Sequence, residues 1–125
     1  MTDFAACAQA IMQAYNDKDF EALEARLAPD IRMSHFNRGA SFSSASELIG
    51  VMRAFAADYM PDRQFELAER VLVSDNIVVR EGYWGGTAGQ DIPGFAAKGE
   101  TLRLRLCSVM TFDDDGILVD WRDHG

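Results

Sequence analysis

The sequence predicts an α+β fold in which three helices precede an antiparallel sheet. Apolar residues recur at helical spacing up to about residue 59, and from residue 65 onward they alternate with polar ones. The first period is typical of amphipathic helices and the second of half-buried strands. The 125 residues contain no internal repeat and no linker-like tract. Residues 1–125 are therefore predicted to form a single domain.

Two amphipathic segments open the chain. The apolar residues of the first recur every three to four positions and predict a helix over residues 3–15. They are Phe4, Cys7, Ala8, Ile11 and Tyr15. A second apolar face, formed by Phe20, Leu23 and Leu27, predicts a short helix that ends before Pro29. A proline disfavours helical geometry in the residue that precedes it.

A strand and a third helix follow. Residues 31–36 predict a short strand, and the polar residues 37–43 predict a loop. Ser44 and Glu47 have the spacing of a capping box, in which both side chains satisfy free N–H groups at a helix N-terminus. The third helix is therefore predicted to begin after Ser44 and to end before Pro61.

Alternating side chains predict the strands of the sheet. The predicted strands cover residues 65–73, 77–84, 102–112 and 117–123. Asp75-Asn76 and Asp115-Gly116 supply tight turns between neighbouring strands. Residues 85–99 contain several glycines and a proline, which predict a loop.

Composition excludes several classes of protein. The chain has 12 Lys and Arg against 20 Asp and Glu, a net charge of −8. Nucleic acids and anionic membranes bind basic surfaces, so neither is an expected partner. No apolar run approaches the ~20 residues of a membrane span, and no secretory leader is recognised after Met1. Cys7 and Cys107 are expected to be reduced thiols rather than a disulfide, which fits a cytoplasmic protein.

Two charged residues in predicted strands are candidates for catalysis. Asp123 shares a strand face with Trp121; if that face points inward, desolvation raises the pKa of the carboxyl and suits it to acid–base chemistry. A solvent-facing aspartate near the terminus is the alternative. Arg80 shares a face with Trp84, and a buried arginine would need a carboxylate partner, for which Asp123 is the candidate. An edge-strand arginine that reaches water is the alternative.

His35 and a set of aromatic residues are further candidates. His35, at the end of the first predicted strand, could act as a general base or as a hydrogen-bond donor to a substrate, or it could be a half-buried structural histidine. Large aromatic side chains could line an apolar pocket for a small-molecule ligand, or simply fill the core. Those assigned to substrate binding are Tyr15, Phe36, Phe55, Tyr59, Tyr83, Trp84 and Trp121.

The sequence contains no recognisable metal or cofactor motif. His35 and His124 are far apart and lack neighbouring metal ligands. The run Asp113–Gly116 resembles part of a calcium loop, but Thr111 and Arg122 hold positions that the loop reserves for acidic ligands. The glycines after residue 81 do not have the spacing of a dinucleotide-binding turn. We therefore expect no cofactor and no metal.

Several short motifs resemble one superfamily when taken in order. They are Leu27-Ala28-Pro29-Asp30-Ile31, Met60-Pro61-Asp62, Val78-Val79-Arg80, Trp84-Gly85-Gly86-Thr87-Ala88-Gly89 and Gly116-Ile117-Leu118-Val119-Asp120-Trp121-Arg122-Asp123. The chain resembles the nuclear-transport-factor-2-like superfamily, in particular SnoaL-like polyketide cyclases and limonene epoxide hydrolases. The resemblance implies a cone-shaped, strongly bent antiparallel sheet packed on the three N-terminal helices, with a deep pocket inside.

The same resemblance implies roles for two candidates. Asp123 matches the pocket carboxylate that acts as acid and base in the cyclases and as the acid in the hydrolases. Arg80 matches the hydrolase arginine that holds two carboxylates. Gly82 stands where the hydrolases carry a second aspartate, and Ala88 stands where the cyclases commonly carry a histidine. The missing aspartate disfavours epoxide hydrolysis.

The predicted function is a small cofactor-independent enzyme of the cyclase or isomerase kind. Asp123 would move a proton beside the carbonyl group of an apolar cyclic ketone, and Arg80, His35 or a pocket aromatic would hydrogen-bond the enolate oxygen. The alternative is a non-catalytic module of the same fold that binds a small molecule or dimerises. A buried Asp123 without a tight Arg80 ion pair would favour the enzyme.

A homodimer is the expected assembly. Val71 and Val73 alternate with Leu72, so this predicted strand is apolar on both faces. Such a strand needs a cover on each side. The helices cover one face, and a second subunit is predicted to cover the other, as is common in the superfamily that the chain resembles.

Overall fold

The computed structural model describes residues 2–125, which form three α-helices and seven strands. The helices are α1 Phe4–Asn16, α2 Phe20–Ala25 and α3 Ala45–Asp58; the strands are β1 Leu27–His35, β2 Ala40–Phe42, β3 Gln64–Phe65, β4 Arg70–Ser74, β5 Ile77–Thr87, β6 Thr101–Phe112 and β7 Leu118–His124. The N-terminus of each helix is capped by an Asp or Ser side chain, and the Ser44 cap of α3 is the predicted one. Asp3 accepts from the Ala6 N–H, Asp19 from Ala22, and Ser44 from Glu47.

All seven strands belong to one strongly curved, unclosed sheet. Its order is β2-β1-β7-β6-β5-β3, and β4 pairs with β5 beyond the short β3. The predicted α+β class with three helices and a bent sheet is confirmed. Every pairing is antiparallel except one, because β1 and β7 run parallel. That parallel pair brings an early strand and the last strand of the chain together within the sheet.

The start of β1 differs from the prediction. Leu27 is not helical: α2 ends at Ala25, and Leu27 pairs with Leu118 of β7. The Leu118 N–H also donates to the Arg26 carbonyl at 2.9 Å, so pairing with β7 ends the helix early. Pro29 lies inside β1, where the register against β7 shifts and where its missing N–H breaks no regular ladder.

Two predicted boundaries inside the sheet are also wrong. Residues 65–73 do not form one strand, because β3 and β4 pair with β5 in different registers and residues 66–69 bulge between them. Residues 85–87 belong to β5 and not to a loop. A side chain at Gly85 would collide with the Leu102 backbone on β6, so this glycine permits close strand pairing. The predicted loop at residues 37–43 contains β2.

The helices cover one face of the curved sheet, and the core lies between them. On β5, Val78, Arg80 and Trp84 share a face, as the alternation predicts, and the structure shows that this face is the inward one. On β7 the inward residues are Trp121 and Asp123. Across residues 2–125, no helix combines the length and apolar character needed to cross a membrane.

Candidate functional site

A cavity of about 440 Å³ lies between the helices and the inner face of the sheet. Its lining is mainly apolar and comes from α1, α3, every strand except β4, the turn between β1 and β2, and the segment after β5. Four of the described residues that line it carry ionisable groups. They are Tyr15, His35, Arg38 and Asp123. A cavity of this size and character suits a small, largely apolar molecule.

Asp123 is buried in the wall of this cavity, with 3% of its surface exposed. The Ser108 hydroxyl donates to its Oδ1 at 2.6 Å, and the Trp121 indole nitrogen donates to the same oxygen at 2.8 Å. No side chain within residues 2–125 hydrogen-bonds Oδ2. Burial raises the pKa of Asp123, and the two hydrogen bonds oppose that shift only in part.

Strand register explains why these three side chains meet. Ser108 of β6 pairs directly with Asp123 of β7, and Met110 pairs with Trp121. Paired residues on adjacent strands share a face, and residues two positions apart on one strand do so too. The alternation that buries Trp121 therefore also places Asp123 and Ser108 on the inner face.

His35 lies beside Asp123 in the sheet, because the parallel register of β1 and β7 pairs the two residues. Its imidazole lines the cavity, and its Nδ1 atom is buried without a hydrogen-bond partner. Burial lowers the pKa of His35, while the Asp123 charge partly offsets the shift. At neutral pH the imidazole next to the Asp123 carboxyl group is therefore neutral.

Tyr15 and Trp84 form a hydrogen-bonded pair in the cavity wall. The Trp84 indole N–H donates to the Tyr15 hydroxyl oxygen at 2.9 Å, so the hydroxyl proton remains available for another acceptor. Burial raises the pKa of Tyr15, which keeps the phenol protonated. Phe55 and Trp121 complete the predicted aromatic residues that line the cavity.

Arg80 is buried but does not form the predicted ion pair with Asp123. Its guanidinium donates to the Glu66 carbonyl and lies 5.4 Å from the centre of the Phe65 ring. That hydrogen bond directs it towards the bulge between β3 and β4, and Arg80 is not part of the cavity lining. Asp123 consequently has no cation within ion-pairing distance among the described side chains.

Three aromatic residues assigned to substrate binding lie outside the cavity lining. Phe36 is 53% exposed and stacks on His124, because it falls in a turn after β1. Tyr59 follows the last residue of α3, and its ring centre lies 5.9 Å from that of Phe55. Tyr83 occupies the opposite strand face from Trp84, where Arg103 stacks on its ring at 3.7 Å.

The structure adds residues that the sequence analysis did not select. Ser108 interrupts the apolar inward series of β6 between Leu106 and Met110, and this was an available signal. Arg38 lines the cavity from the short 3-10 turn after β1, where no periodicity identifies an inward side chain. Within residues 2–125, no group of three or more acidic, histidine or cysteine side chains could hold a metal ion.

Comparison with solved structures shows the same fold in proteins of low identity. A candidate polyketide cyclase from Pseudomonas putida KT2440 is 17% identical, with a TM-score of 0.84 over 100% of this chain and 92% of the other. A candidate polyketide cyclase from Xanthomonas campestris pv. campestris is 21% identical, with a TM-score of 0.83 over 98% and 89%. An epoxide hydrolase from M. tuberculosis, described as similar to limonene epoxide hydrolase, is 18% identical, with a TM-score of 0.77 over 96% and 80%.

Sequence comparison assigns the family. No curated protein matches the chain at a significant level. The family model of the SnoaL-like domain matches residues 8–121, which include all the strands that build the cavity apart from the last residues of β7. The chain therefore belongs to the SnoaL-like domain family.

Proposed function

We propose that this protein is a cofactor-independent enzyme that moves a proton at the carbon next to a ketone carbonyl. The substrate would be an apolar cyclic ketone, and the reaction an isomerisation or a ring closure. One observation carries the proposal: Asp123 Oδ2 has no hydrogen-bond donor from the described part of the protein, in the wall of an apolar cavity. A desolvated carboxylate with one unoccupied oxygen is suited to accept a proton from carbon.

The reaction needs one base and one stabilised oxygen. Asp123 takes the proton, so the C–H bond breaks, an O–H bond forms, and the electron pair moves to the carbonyl oxygen as an enolate. The Tyr15 hydroxyl can donate its free proton in a hydrogen bond to that oxygen. In an isomerisation, Asp123 returns the proton to a different carbon of the conjugated enolate. In a ring closure, the enolate carbon attacks a second carbonyl group, and the alkoxide that forms takes the proton from Asp123, which regenerates the carboxylate.

The absence of an Asp123 ion pair among the described side chains supports the role of base. A guanidinium in contact would lower the pKa of the carboxyl and weaken it as a proton acceptor. Here the partners are the neutral Ser108 and Trp121, and burial raises the pKa of Asp123. Neutral donors fix the orientation of the carboxylate without removing its basicity.

Epoxide hydrolysis is the less suitable chemistry. It needs a base and an acid on either side of one water, and Asp123 is the single carboxylate among the described residues of the lining. Gly82 supplies no second carboxylate, and it is closely packed: an added Cβ atom would lie 3.3 Å from Arg80 Nη1 and 3.4 Å from Ala68 Cα, so a side chain there would require these neighbours to shift.

The test is proton exchange in deuterated water, followed by NMR, on a panel of cyclic ketones and 1,3-diketones. Asp123→Asn keeps the shape of the side chain but removes the titrating group, and it should slow exchange by about 10²–10⁴. Asp120→Asn is the matched control, since this aspartate on the same strand bonds the exposed Arg122 and not the cavity.

The same experiment separates the enzyme from a binding module. If the wild type binds panel members, as seen in thermal shift, but exchanges none of them faster than buffer does, the protein is a non-catalytic binder. If Asp123→Asn exchanges as fast as the wild type, Asp123 is not the base.

A further inference from the structure

The buried interior carries more positive than negative charge. Among residues 2–125, the charged side chains classed as buried are Arg63, Arg80 and Asp123, at 1%, 4% and 3% exposure. The interior therefore contains two guanidinium groups and one carboxyl group, whereas the whole chain has a net charge of −8. The imbalance is confined to the interior and is opposite in sign to the rest of the protein.

Arg63 has no polar partner among the described residues. Its Nε, Nη1 and Nη2 atoms are buried, and none of them makes a hydrogen bond. The guanidinium lies 3.9 Å from the centre of the Tyr15 ring and 5.8 Å from that of Phe20. Contact with an aromatic face compensates a buried cation only in part, so most of the Arg63 charge is unbalanced.

Both guanidiniums stand against the wall of the cavity. Arg63 lies on Tyr15 and Arg80 on Phe65, and the two rings are themselves packed together at 4.9 Å. Tyr15 and Phe65 both line the cavity, whereas neither arginine does. Each guanidinium thus contacts a ring that also lines the cavity, although neither guanidinium lines the cavity itself.

Unpaired buried charge destabilises a fold, and an apolar residue of similar volume is often the more stable choice. The charge of Arg63 is therefore best explained by something that the cavity binds. One further negative charge in the cavity would balance the two arginines against Asp123 and the ligand. The other ionisable groups of the lining are Tyr15 and His35, held neutral, and the exposed Arg38, which adds a third cation at the rim.

We propose that the cavity binds its ligand as a monoanion, with the negative oxygen of an enol, phenol or carboxylic acid on an apolar ring. Arg63, acting through the Tyr15 ring, and Arg80, acting through Phe65, are the positioning residues that supply the attraction. The inference rests on the proposed function in taking this ligand as the substrate. The anionic oxygen is one that the substrate already carries, because an enolate formed by Asp123 leaves Asp123 protonated and adds no negative charge to the cavity. Its binding test needs no turnover.

The probe is para-nitrophenol, whose phenolate form absorbs visible light. Its apparent pKa when bound should fall below the free value by on the order of one unit, which is the scale at which a nearby unit charge acts inside a protein. Arg63→Met should reverse much of that shift, Arg63→Lys should keep it, and Arg32→Met, an exposed arginine of β1, should leave it unchanged. Arg80→Met should act like Arg63→Met.

Stability distinguishes this role from a structural one. Arg63→Met removes an unpartnered buried charge, so its melting temperature should equal or exceed that of the wild type while its phenolate binding weakens. If Arg63→Met lowers the melting temperature and leaves the pKa of the bound probe at its wild-type value, Arg63 serves folding alone. Benzoate is the second probe. If benzoate binds more tightly than the phenolate, the ligand is a carboxylate. If the phenolate binds more tightly, the ligand is an enolate.

The two proposals fail in different ways. Binding of para-nitrophenol as the neutral phenol with an unchanged pKa, or no binding of either probe at millimolar concentration, overturns the anion inference and leaves the proton-exchange result untouched. Asp123→Asn should lower the probe pKa further, because it removes the one opposing charge. An unaltered exchange rate in that variant overturns the proposed function while phenolate binding persists.

Discussion

Trp121 and Asp123 lie on the same face of β7, and the indole N–H of Trp121 donates a 2.8 Å hydrogen bond to Asp123 Oδ1. The Ser108 hydroxyl reaches the same oxygen from the adjacent strand. Both donors stabilise the ionised carboxylate, whereas burial destabilises it. Burial is the larger effect, so the pKa of Asp123 is raised. The strength of the base therefore depends on its neighbours in the sheet.

Replacing Ser108 should move the pH dependence of the reaction. Ser108→Ala removes a hydrogen bond that lowers the pKa of Asp123, so that pKa rises further and more of the carboxyl is protonated at a given pH. The acid limb of kcat/KM, which reports the free enzyme, should shift to higher pH. Ser74→Ala, an exposed serine at the end of β4, should not shift it. An unmoved acid limb in Ser108→Ala would show that another group controls it.

Asp123 should also make stability depend on pH. Its pKa is raised in the folded state, so the folded protein holds this proton more tightly than the unfolded chain. The resulting stability is fully present below the ordinary carboxyl pKa near 4 and is lost as the pH rises through the raised folded value. Each unit of the shift corresponds to about 1.4 kcal/mol.

Urea unfolding of Asp123→Asn across that pH range tests this linkage. The variant should be at least as stable as the wild type at pH 7, and its advantage should shrink as the pH falls towards 4. A constant difference between the two proteins at all pH values would mean that Asp123 has similar pKa values in the folded and unfolded states.

Local periodicity was sufficient for part of this site. Alternation on β5 and β7 correctly predicts that Arg80 shares a strand face with Trp84 and that Asp123 shares one with Trp121. Alternation alone left open whether these faces point inward, which the structure shows they do. It could not predict the partner of Arg80, since a shared face does not set the distance between side chains. The Glu66 carbonyl, which binds Arg80, belongs to a bulge that no alternation reveals.

Long-range strand pairing accounts for most of the site features that the sequence could not predict. The contact of His35 with the Asp123 region depends on the parallel register of β1 and β7, whose residues are far apart along the chain. The same pairing converts Leu27 from a predicted helix residue to a strand residue. Neither effect has a local sequence signature, because tertiary pairing overrides a weak helical preference.

Two glycines should respond to alanine in opposite directions. Gly50 lies in α3, and an added Cβ atom there would meet nothing within 4 Å, so Gly50→Ala should stabilise the protein by about 0.5–1 kcal/mol through helix propensity. Gly85 faces the Leu102 backbone on β6, and its added methyl would collide with it. Gly85→Ala should therefore destabilise by about 1–3 kcal/mol. Thermal unfolding of both variants provides the measurement, and equal shifts would contradict the packing argument.

The outer face of the sheet is the proposed dimer interface. Leu72 and Val73 of β4 are 53% and 50% exposed, but they lie on opposite faces: Leu72 pairs with the outward Val79, and Val73 pairs with the inward Val78. A twofold interface on the outer face would bury Leu72 in both subunits. Leu72→Glu would then place two negative charges in the interface, which costs at least ~3 kcal/mol, or about a hundredfold in the dimer Kd.

The matched control is Val73→Glu, because Val73 is about equally exposed and the substitution adds the same charge. Light scattering at micromolar concentration should find a dimer for the wild type and Val73→Glu, and a monomer for Leu72→Glu. A monomeric wild type would rule out the dimer, and a monomer from Val73→Glu alone would move the interface to the inner side of β4.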